Sequence, residues 1–261
     1  MVTRIITAVV GIIVGLGIIY LGGAIFFLLI LLLALLGLNE LSQLLRSMQT
    51  YVNKPMAVFA TVLLLLAYYY QAWLIIIILF ALALFFLAIN MMRDFINANF
   101  PDFAGTFLAV VYITLMFGFP LALRTVDNGF FIIIYLLAII WGTDAGAYFI
   151  GTSIGKNKLA PNISPKKSYQ GSIGGLLIAT LIALLLSPIA EITLLWALLL
   201  GIVVSVSAQL GDLFESMLKR KAGIKDSGNI FPGHGGILDR FDGFLFAAPF
   251  YYGILELINI I

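Results

Sequence analysis

The sequence predicts an all-α, polytopic integral membrane protein, on the strength of its composition and of its long apolar runs. Of its 261 residues, 63% are hydrophobic and only 10% are charged, whereas a soluble domain carries about 25% charged residues. A chain of this length folded in water could not bury so much apolar surface. Apolar runs long enough for membrane-spanning helices recur along nearly the whole chain. We therefore expect lipid to surround most of it.

The apolar runs divide into about nine candidate transmembrane helices. A spanning helix needs about 20 mostly apolar residues. The run from Ile5 to Leu38 is long enough for two short spans separated at Gly22-Gly23, although one tilted span with an interfacial helix is an alternative. The border near Tyr70 between the third and fourth spans is the least distinct. The later spans are predicted at residues 56–70, 72–92, 103–123, 129–150, 171–188, 192–216 and 237–258.

Lysine and arginine residues predict the orientation. With nine spans, 12 of the 14 fall in loops on one side, Arg124 falls on the other, and Arg240 lies in the last span. Cytoplasmic loops are the ones enriched in these residues. We therefore expect a cytoplasmic N-terminus, a multi-pass arrangement in the cell (inner) membrane, and a site that faces the cytoplasm.

Charged residues are also uneven along the chain. Residues 1–142 are predicted to form hydrophobic scaffold helices, and residues 143–261 a catalytic half, both within a single membrane domain. The net charge of +2 is too small to suggest a nucleic-acid partner. The absence of cysteine excludes disulfides, thiolate nucleophiles and cysteine-based zinc sites.

Ionisable residues within the predicted spans are candidates for function, because such residues usually face the protein interior. Residues three and four apart share one face of a helix, so several of these residues form polar stripes at the cytoplasmic ends of the spans. The groups are Asp144 alone; Asp212, Glu215, Ser216 and Lys219; and Asp239, Arg240 and Asp242.

The composition of these groups predicts a site for a metal ion and nucleotide phosphates. Magnesium takes oxygen ligands, commonly one or two carboxylates together with substrate phosphates. The lysines and arginines nearby suit phosphate oxygens. Gly233, Gly235 and Gly236 allow the backbone to approach a phosphate closely, just before a helix begins.

Two stretches near the end of the chain resemble the signature of the phosphatidate cytidylyltransferases (CDP-diacylglycerol synthases). Residues 216–226 read S-M-L-K-R-K-A-G-I-K-D, and residues 232–242 read P-G-H-G-G-I-L-D-R-F-D. They fill every fixed position of the family pattern S-x-x-K-R-x4-K-D followed by P-x-H-G-G-x-x-D-R-x-D. Residues 164–171, S-P-K-K-S-Y-Q-G, are also similar, with Gln170 where the family more usually has glutamate. The resemblance covers roughly residues 140–243.

The resemblance implies a nucleotidyltransferase of phospholipid biosynthesis. It would transfer the cytidylyl group of CTP to phosphatidate, with Mg²⁺ and with or without a second cation, and would act as a homodimer. Asp212 and Asp239 would hold the metal, with Asp144 as a further or supporting ligand. The predicted catalytic residues are Asp212, Lys219, Asp239 and Arg240, and the predicted substrate-binding residues are Lys167 for phosphatidate and Ser216, Arg220, His234, Gly235, Gly236 and Asp242.

Other interpretations of the same residues remain open. The acids could pair with basic residues to hold helices together, and Gly142 with Gly146 forms a G-x-x-x-G pattern typical of close helix packing. One rival function is another CTP-using lipid enzyme, such as a polyprenol kinase or a cytidylyltransferase for ether-linked lipids. A more distant one is a cation transporter, since buried carboxylates also mark ion paths. The clustering of the acids at one membrane face argues against transport.

Overall fold

The chain is almost entirely helical in the computed structural model, which describes residues 2–96, 98–228, 230 and 235–261, with side chains from residue 11 onward. Short turns join most of the helices. In chain order the elements are α1 (Val2–Leu21), α2 (Gly23–Ser47), α3 (Lys54–Tyr69), α4 (Trp73–Arg93), α5 (Phe100–Thr125), α6 (Gly129–Ile154), β1 (Lys158–Ala160), β2 (Ser164–Ser168), α7 (Tyr169–Leu186), α8 (Leu194–Lys221), α9 (Leu238–Phe241) and α10 (Phe244–Leu257).

Six of these helices, α2 and α4–α8, are long and apolar enough to cross a membrane. The polytopic membrane fold is thereby confirmed. Within the described residues, α1–α8 correspond to the first eight predicted segments, and α10 covers the second part of the ninth. Helices α3 and α10, with 16 and 14 residues, are shorter than a usual span. The number of nine spans and the cytoplasmic N-terminus stay predictions.

Both borders predicted between the early helices are confirmed. Helix α1 ends at Leu21, and Gly22 has a φ of 63°, a left-handed conformation that glycine adopts readily. The side chain of Arg124 lies against Gly22 and donates hydrogen bonds to the carbonyls of Ile19 and Tyr20, at 2.5 and 2.8 Å. These bonds satisfy carbonyl groups that the end of α1 leaves unpaired. Near Tyr70, α3 ends at Tyr69 and α4 begins at Trp73.

Two expectations about the second half are wrong. The all-α prediction missed an antiparallel hairpin of β1 and β2, because these short strands carry lysines and a proline and lack the apolar alternation that marks a strand. The span predicted at 237–258 is not one continuous helix, since α9 ends at Phe241 and α10 begins at Phe244. Asp242 and Gly243 separate them, and the N–H of Gly243 donates to Asp242 Oδ1 at 2.8 Å.

The chain forms two compact units, each considered by itself. Unit 1 comprises Met1–Thr125 with Lys221–Arg240, and unit 2 comprises Val126–Arg220 with Phe241–Ile261. In unit 1, α2 and α3 pack against α5 around fully buried side chains such as Leu41, Leu64 and Ile113. The predicted division into a scaffold and a catalytic half at residue 142 stays a prediction.

Unit 2 is built on the close packing of α6 against α7. A Cβ atom added at Gly146 would meet the Gly174 carbonyl oxygen at 2.9 Å, and one added at Gly175 would meet the Thr143 carbonyl oxygen at 2.6 Å. Only glycine permits so close an approach of the two backbones, so the packing role predicted for Gly142 and Gly146 is confirmed. Asp144 lies between these glycines in sequence and is exposed.

Candidate active site

Unit 2 contains a cavity of about 370 Å³ between α6, the β1–β2 hairpin, α7 and α8, whose surface is mostly apolar. It is named the polar cavity for the charged side chains that line part of it. Its polar lining includes carboxylates from two helices and the ammonium groups of two adjacent lysines on β2. The polar residues of the lining include Asp144, Lys166, Lys167, Ser172, Gln209 and Asp212. The structure thus brings three predicted site residues, Asp144, Lys167 and Asp212, to one cavity.

Lys167 of β2 forms an ion pair with Asp212 of α8 at this cavity. The side chains are 26% and 34% exposed, but the Lys167 Nζ atom itself is buried against its partner. The hydroxyl of Ser216 donates to Asp212 Oδ1 at 3.3 Å, one helical turn further on. Lys167 is held in place because Ser168 next to it caps α7, accepting a hydrogen bond from the N–H of Gly171 at 3.1 Å.

A second ion pair lies further along α8, between Lys219 and Glu215. Glu215 is almost fully buried, with 1% of its side chain exposed, and Lys219 is 13% exposed. The prediction that Glu215 and Lys219 lie on one face of the helix is confirmed by this pair. Arg220 is exposed, and its Nε donates to the Ile163 carbonyl at 3.2 Å. This bond ties the end of α8 to the turn of the hairpin.

The carboxyl group of Asp242 lies in the connection between α9 and α10, outside the candidate spanning helices. Desolvation by the surrounding protein, and then the negative charges of Asp212 and Glu215, raise the pKa of this carboxyl well above its ordinary value. The hydrogen bond from Gly243 acts in the opposite direction, and Asp144 adds a smaller upward effect. Burial of Asp242 is thus the main cause of the shift, and the neighbouring carboxylates of α8 add to it.

Asp239 belongs to unit 1 and organises the backbone around it. Its Oδ2 accepts hydrogen bonds from the N–H and the hydroxyl of Ser227, both at 2.9 Å, and from the N–H of Gly236 at 2.8 Å. Gly235 has a φ of 81°, and a Cβ atom there would strike the Asp239 carboxylate. Arg240 follows as an exposed residue. These contacts indicate that Asp239 holds Ser227 and Gly236 in place. Metal ligation by Asp239 stays a prediction.

His234 lies outside the described residues, as do Pro232 and Gly233. The substrate contact predicted for His234 accordingly stays a prediction. Gly235, Gly236, Asp239 and Arg240 form one group in unit 1. Lys167, Asp212, Ser216, Lys219, Arg220 and Asp242 belong to unit 2, as does Asp144.

Sequence analysis missed one residue of the unit 1 group, Glu40 on α2. Its side chain is buried, with 3% exposure. Its Oε1 accepts a hydrogen bond from the N–H of Ile237, and its Oε2 accepts from the N–H of Leu238 and the hydroxyl of Ser227, each at 3.0 Å. The carboxylate of a supposed scaffold helix therefore contacts the signature sequence directly.

A signal for Glu40 was present in the sequence. The predicted span ended at Leu38, whereas α2 continues to Ser47. Had the helix been extended, Gly37, Glu40 and Leu44 would have fallen on one face at spacings of three and four residues, all of them buried. An acid within an apolar stripe is a candidate for function.

The hydrogen bond made by Gln170 shows how an amide can stand where the family more usually has glutamate. Its Oε1 accepts a hydrogen bond from the N–H of Asn157 at 3.2 Å, across the base of the hairpin. A glutamate carboxylate and a glutamine amide both offer an oxygen acceptor for this bond. The position therefore requires an acceptor and shows no use for an acid.

The donor chemistry of the polar cavity suits a magnesium ion. Among the described residues, no group of three or more His, Cys, Asp or Glu side chains is arranged to hold a metal. Magnesium needs fewer, because it usually takes one or two carboxylates and completes its shell with phosphates and water. Asp144 and Asp212 supply two carboxylates to one cavity.

Fold and site together define a class: a polytopic membrane protein with a water-accessible cavity where carboxylates and lysines meet, suited to phosphate-bearing ligands. The chain belongs to the cytidylyltransferase family, whose family model matches residues 2–258.

Several relatives carry the name phosphatidate cytidylyltransferase. The protein of that name from Bacillus subtilis (strain 168) is 46% identical over 164 residues, which cover 62% of this chain and 61% of the relative. The one from Staphylococcus epidermidis (strain ATCC 12228 / FDA PCI 1200) is 38% identical over 253 residues, 94% of this chain and 95% of the relative. The one from Staphylococcus aureus (strain COL) is 37% identical over 253 residues, again 94% of this chain and 95% of the relative.

Proposed function

We propose that this protein transfers the cytidylyl group of CTP to phosphatidate, producing CDP-diacylglycerol and pyrophosphate for phospholipid biosynthesis. The observation that carries the proposal is the ion pair of Lys167 and Asp212 at a partly exposed cavity in a membrane protein. It provides a phosphate-binding cation and a carboxylate at one place. Family membership and the names of the relatives support the same reaction.

The reaction needs little proton transfer. The phosphate monoester of phosphatidate is largely ionised at neutral pH, because its second pKa is about 6. One of its oxygens attacks the α-phosphorus of CTP and forms a new P–O bond. The bond from that phosphorus to the oxygen bridging to the β-phosphate breaks, and pyrophosphate leaves with the electron pair. The main obstacle is repulsion between two anions, which positioned charges can relieve.

The basic residues are assigned to that task. Lys167 would bind the phosphate of phosphatidate, exchanging its present partner, the Asp212 carboxylate, for the substrate. Lys219, Arg220 and Arg240 would neutralise the triphosphate and the departing pyrophosphate. Gly235 and Gly236, with His234, would contact the nucleotide, and Ser216 and Asp242 would orient the groups around them.

We propose that the reaction depends on Mg²⁺, held by Asp212 with Asp144; metal ligation by Asp239 rests on the signature alone. The bound ion would offset the charge of the triphosphate. The pairing of two carboxylates at one cavity supports this assignment. When Lys167 turns to the phosphate, the Asp212 carboxylate becomes free to act as an oxygen ligand. A second cation is left open.

The proposal extends to location and assembly. CTP is a cytoplasmic nucleotide, so the site would face the cytoplasm from the cell (inner) membrane, as the distribution of lysine and arginine also predicts. We further propose a homodimer, which light scattering of the detergent-solubilised protein would test. A dimeric mass supports the assembly, and a monomeric mass contradicts it.

The test of the reaction is pyrophosphate release by purified protein in mixed micelles with CTP, phosphatidate and Mg²⁺. Release should require all three components. Asp212→Asn should lower the rate by about 10²–10³-fold, the usual cost of removing one essential electrostatic group. Asp127→Asn is the matched control, because it makes the same change at an exposed residue before α6 and should leave the rate unchanged.

Each other outcome has a definite meaning. Release without Mg²⁺, or undiminished release by Asp212→Asn, would contradict the metal assignment and leave the reaction in place. Turnover of CTP with a different lipid acceptor would make the protein a neighbouring lipid enzyme. No CTP turnover with any acceptor, together with cation flux into proteoliposomes, would favour the transporter.

A further inference from the structure

Glu40 uses both of its carboxylate oxygens to hold the α8–α9 loop (residues 222–237) and the start of α9. Oε1 accepts from Ile237, and Oε2 accepts from Leu238 and from the hydroxyl of Ser227. A carboxylate is the side chain that offers two acceptor oxygens and no donor. A glutamine at this position would turn an NH₂ group towards one set of these donors. The site therefore selects glutamate on chemical grounds.

The glycines of the loop make room for this carboxylate. A Cβ atom added to Gly236 would collide with both carboxylate oxygens of Glu40 and with the hydroxyl of Ser227. One added to Gly228 would collide with Oε1 of Glu40. Gly236 was expected to admit a phosphate, but the structure shows that its missing side chain first admits Glu40.

The hydroxyl of Ser227 connects Glu40 with Asp239. It lies 3.0 Å from Glu40 Oε2 and 2.9 Å from Asp239 Oδ2. A serine hydroxyl has one hydrogen to donate, so the two carboxylates share a single donor. A change at Glu40 therefore acts on Ser227 and through it on Asp239, which also accepts hydrogen bonds from backbone N–H groups of the same region.

We propose that Glu40 is a positioning residue for the nucleotide: it fixes Ser227 and the backbone at Ile237 and Leu238 so that Gly235, Gly236 and Asp239 are set before CTP arrives. Preorganised groups contribute more to binding and catalysis than groups that must be ordered by the ligand. That the ligand of this region is CTP rests on the proposed function, whereas the bracing of the loop by Glu40 does not.

The experiment combines hydrogen exchange with steady-state kinetics on Glu40→Gln, Glu40→Asp and Ser227→Ala in the full-length protein. In Glu40→Gln, amide exchange should accelerate in peptides covering residues 235–240 and stay unchanged in α5 and α6. The kcat/KM for CTP should fall by about 10–100-fold, the scale expected when reacting groups are misplaced. The KM for phosphatidate should not change.

Two comparisons separate positioning from a general loss of structure. Glu40→Asp keeps the charge on a shorter side chain and should recover part of the loss. Ser227→Ala removes the shared donor but leaves both backbone bonds to Glu40, so its effect should be smaller and in the same peptides. Glu256→Gln is the control, since it makes the same change at an exposed residue of α10.

The outcomes are distinguishable. Wild-type exchange and kinetics in Glu40→Gln would overturn the positioning role, as would faster exchange throughout the protein with an unchanged KM for CTP. If the Glu40 variants do not accumulate as folded protein, Ser227→Ala decides, and wild-type behaviour there overturns the proposal. If the wild-type protein fails to turn over CTP, the proposed function falls, and the exchange data still judge the bracing of the loop.

Discussion

Lys167 and Asp212 form an ion pair that joins strand β2 to helix α8 at the wall of the polar cavity. The two residues come from separate sequence motifs, and both were predicted to contact ligands of opposite charge. In this structure each neutralises the other. The Lys167 Nζ atom is buried, so removal of either partner would leave a poorly solvated charge.

The first prediction concerns coupling within this pair. Lys167→Met should lower kcat/KM for phosphatidate by about 10²-fold, because a positive charge facing the phosphate is lost. In the double variant with Asp212→Asn, the fold-loss of kcat/KM should be much smaller than the product of the two single fold-losses. The effects of residues that act together are not additive. Radiolabelled CDP-diacylglycerol formation measures this. Fully multiplicative losses would show that the two residues act independently.

The second prediction concerns the space at Gly236. Gly236→Ala places a methyl group against Glu40 and Ser227, so it should destabilise the protein by about 1–3 kcal/mol, as overpacking usually does. Thermal unfolding in detergent measures the change. Gly253→Ala in α10 is the control, because nothing lies within 4 Å of that position. It should be neutral or stabilising by about 0.5–1 kcal/mol. An unaffected Gly236→Ala would contradict the contact.

The third prediction concerns Gln170, which accepts a hydrogen bond from Asn157 at the base of the hairpin. Gln170→Glu keeps an acceptor oxygen and should retain activity within about threefold, on the view that an acceptor is all the position needs. Gln170→Leu has no acceptor and should lower stability by about 1 kcal/mol. Pyrophosphate release and thermal unfolding measure the two effects. A large gain in rate for Gln170→Glu would instead assign an acid role to this position.

The fourth prediction concerns the orientation of α6, whose 26 residues span about 39 Å at 1.5 Å per residue. The chain has no cysteine, so single cysteines can be introduced without background. Asp127→Cys should react with a membrane-impermeant maleimide in intact cells, and Lys156→Cys only in inverted membrane vesicles. Both residues are exposed and lie just beyond opposite ends of α6. The reverse labelling pattern would overturn the predicted orientation.

Local chemistry explains which predictions about the fold are confirmed. The break at Gly22 and the border near Tyr70 follow from glycine and from interruptions of apolar runs, which are visible in the sequence itself. The β1–β2 hairpin could not be found in this way, because its strands are held by backbone hydrogen bonds and carry no apolar alternation. The interruption at Asp242 did leave a local signal, since Asp242-Gly243 is a dipeptide typical of turns.

The candidate site divides in the same manner. The i, i+4 spacing of Glu215 and Lys219 made their pairing predictable from the sequence. The partners of Lys167 and of Asp239 could not be predicted from the sequence. Each depends on which of several carboxylates or backbone N–H groups the fold brings near. Metal ligation and the nucleotide contacts remain predictions that rest on the signature.

The sequence by itself determined the membrane-spanning class, the positions of most helices and the family. These depend on composition, on apolar length and on residues close together in the chain. Only the tertiary structure decided that Glu40 of α2 holds Ser227, Ile237 and Leu238. A hydrogen bond between distant residues leaves no local pattern, because each side chain follows its own helix or loop until folding brings donor and acceptor within about 3 Å.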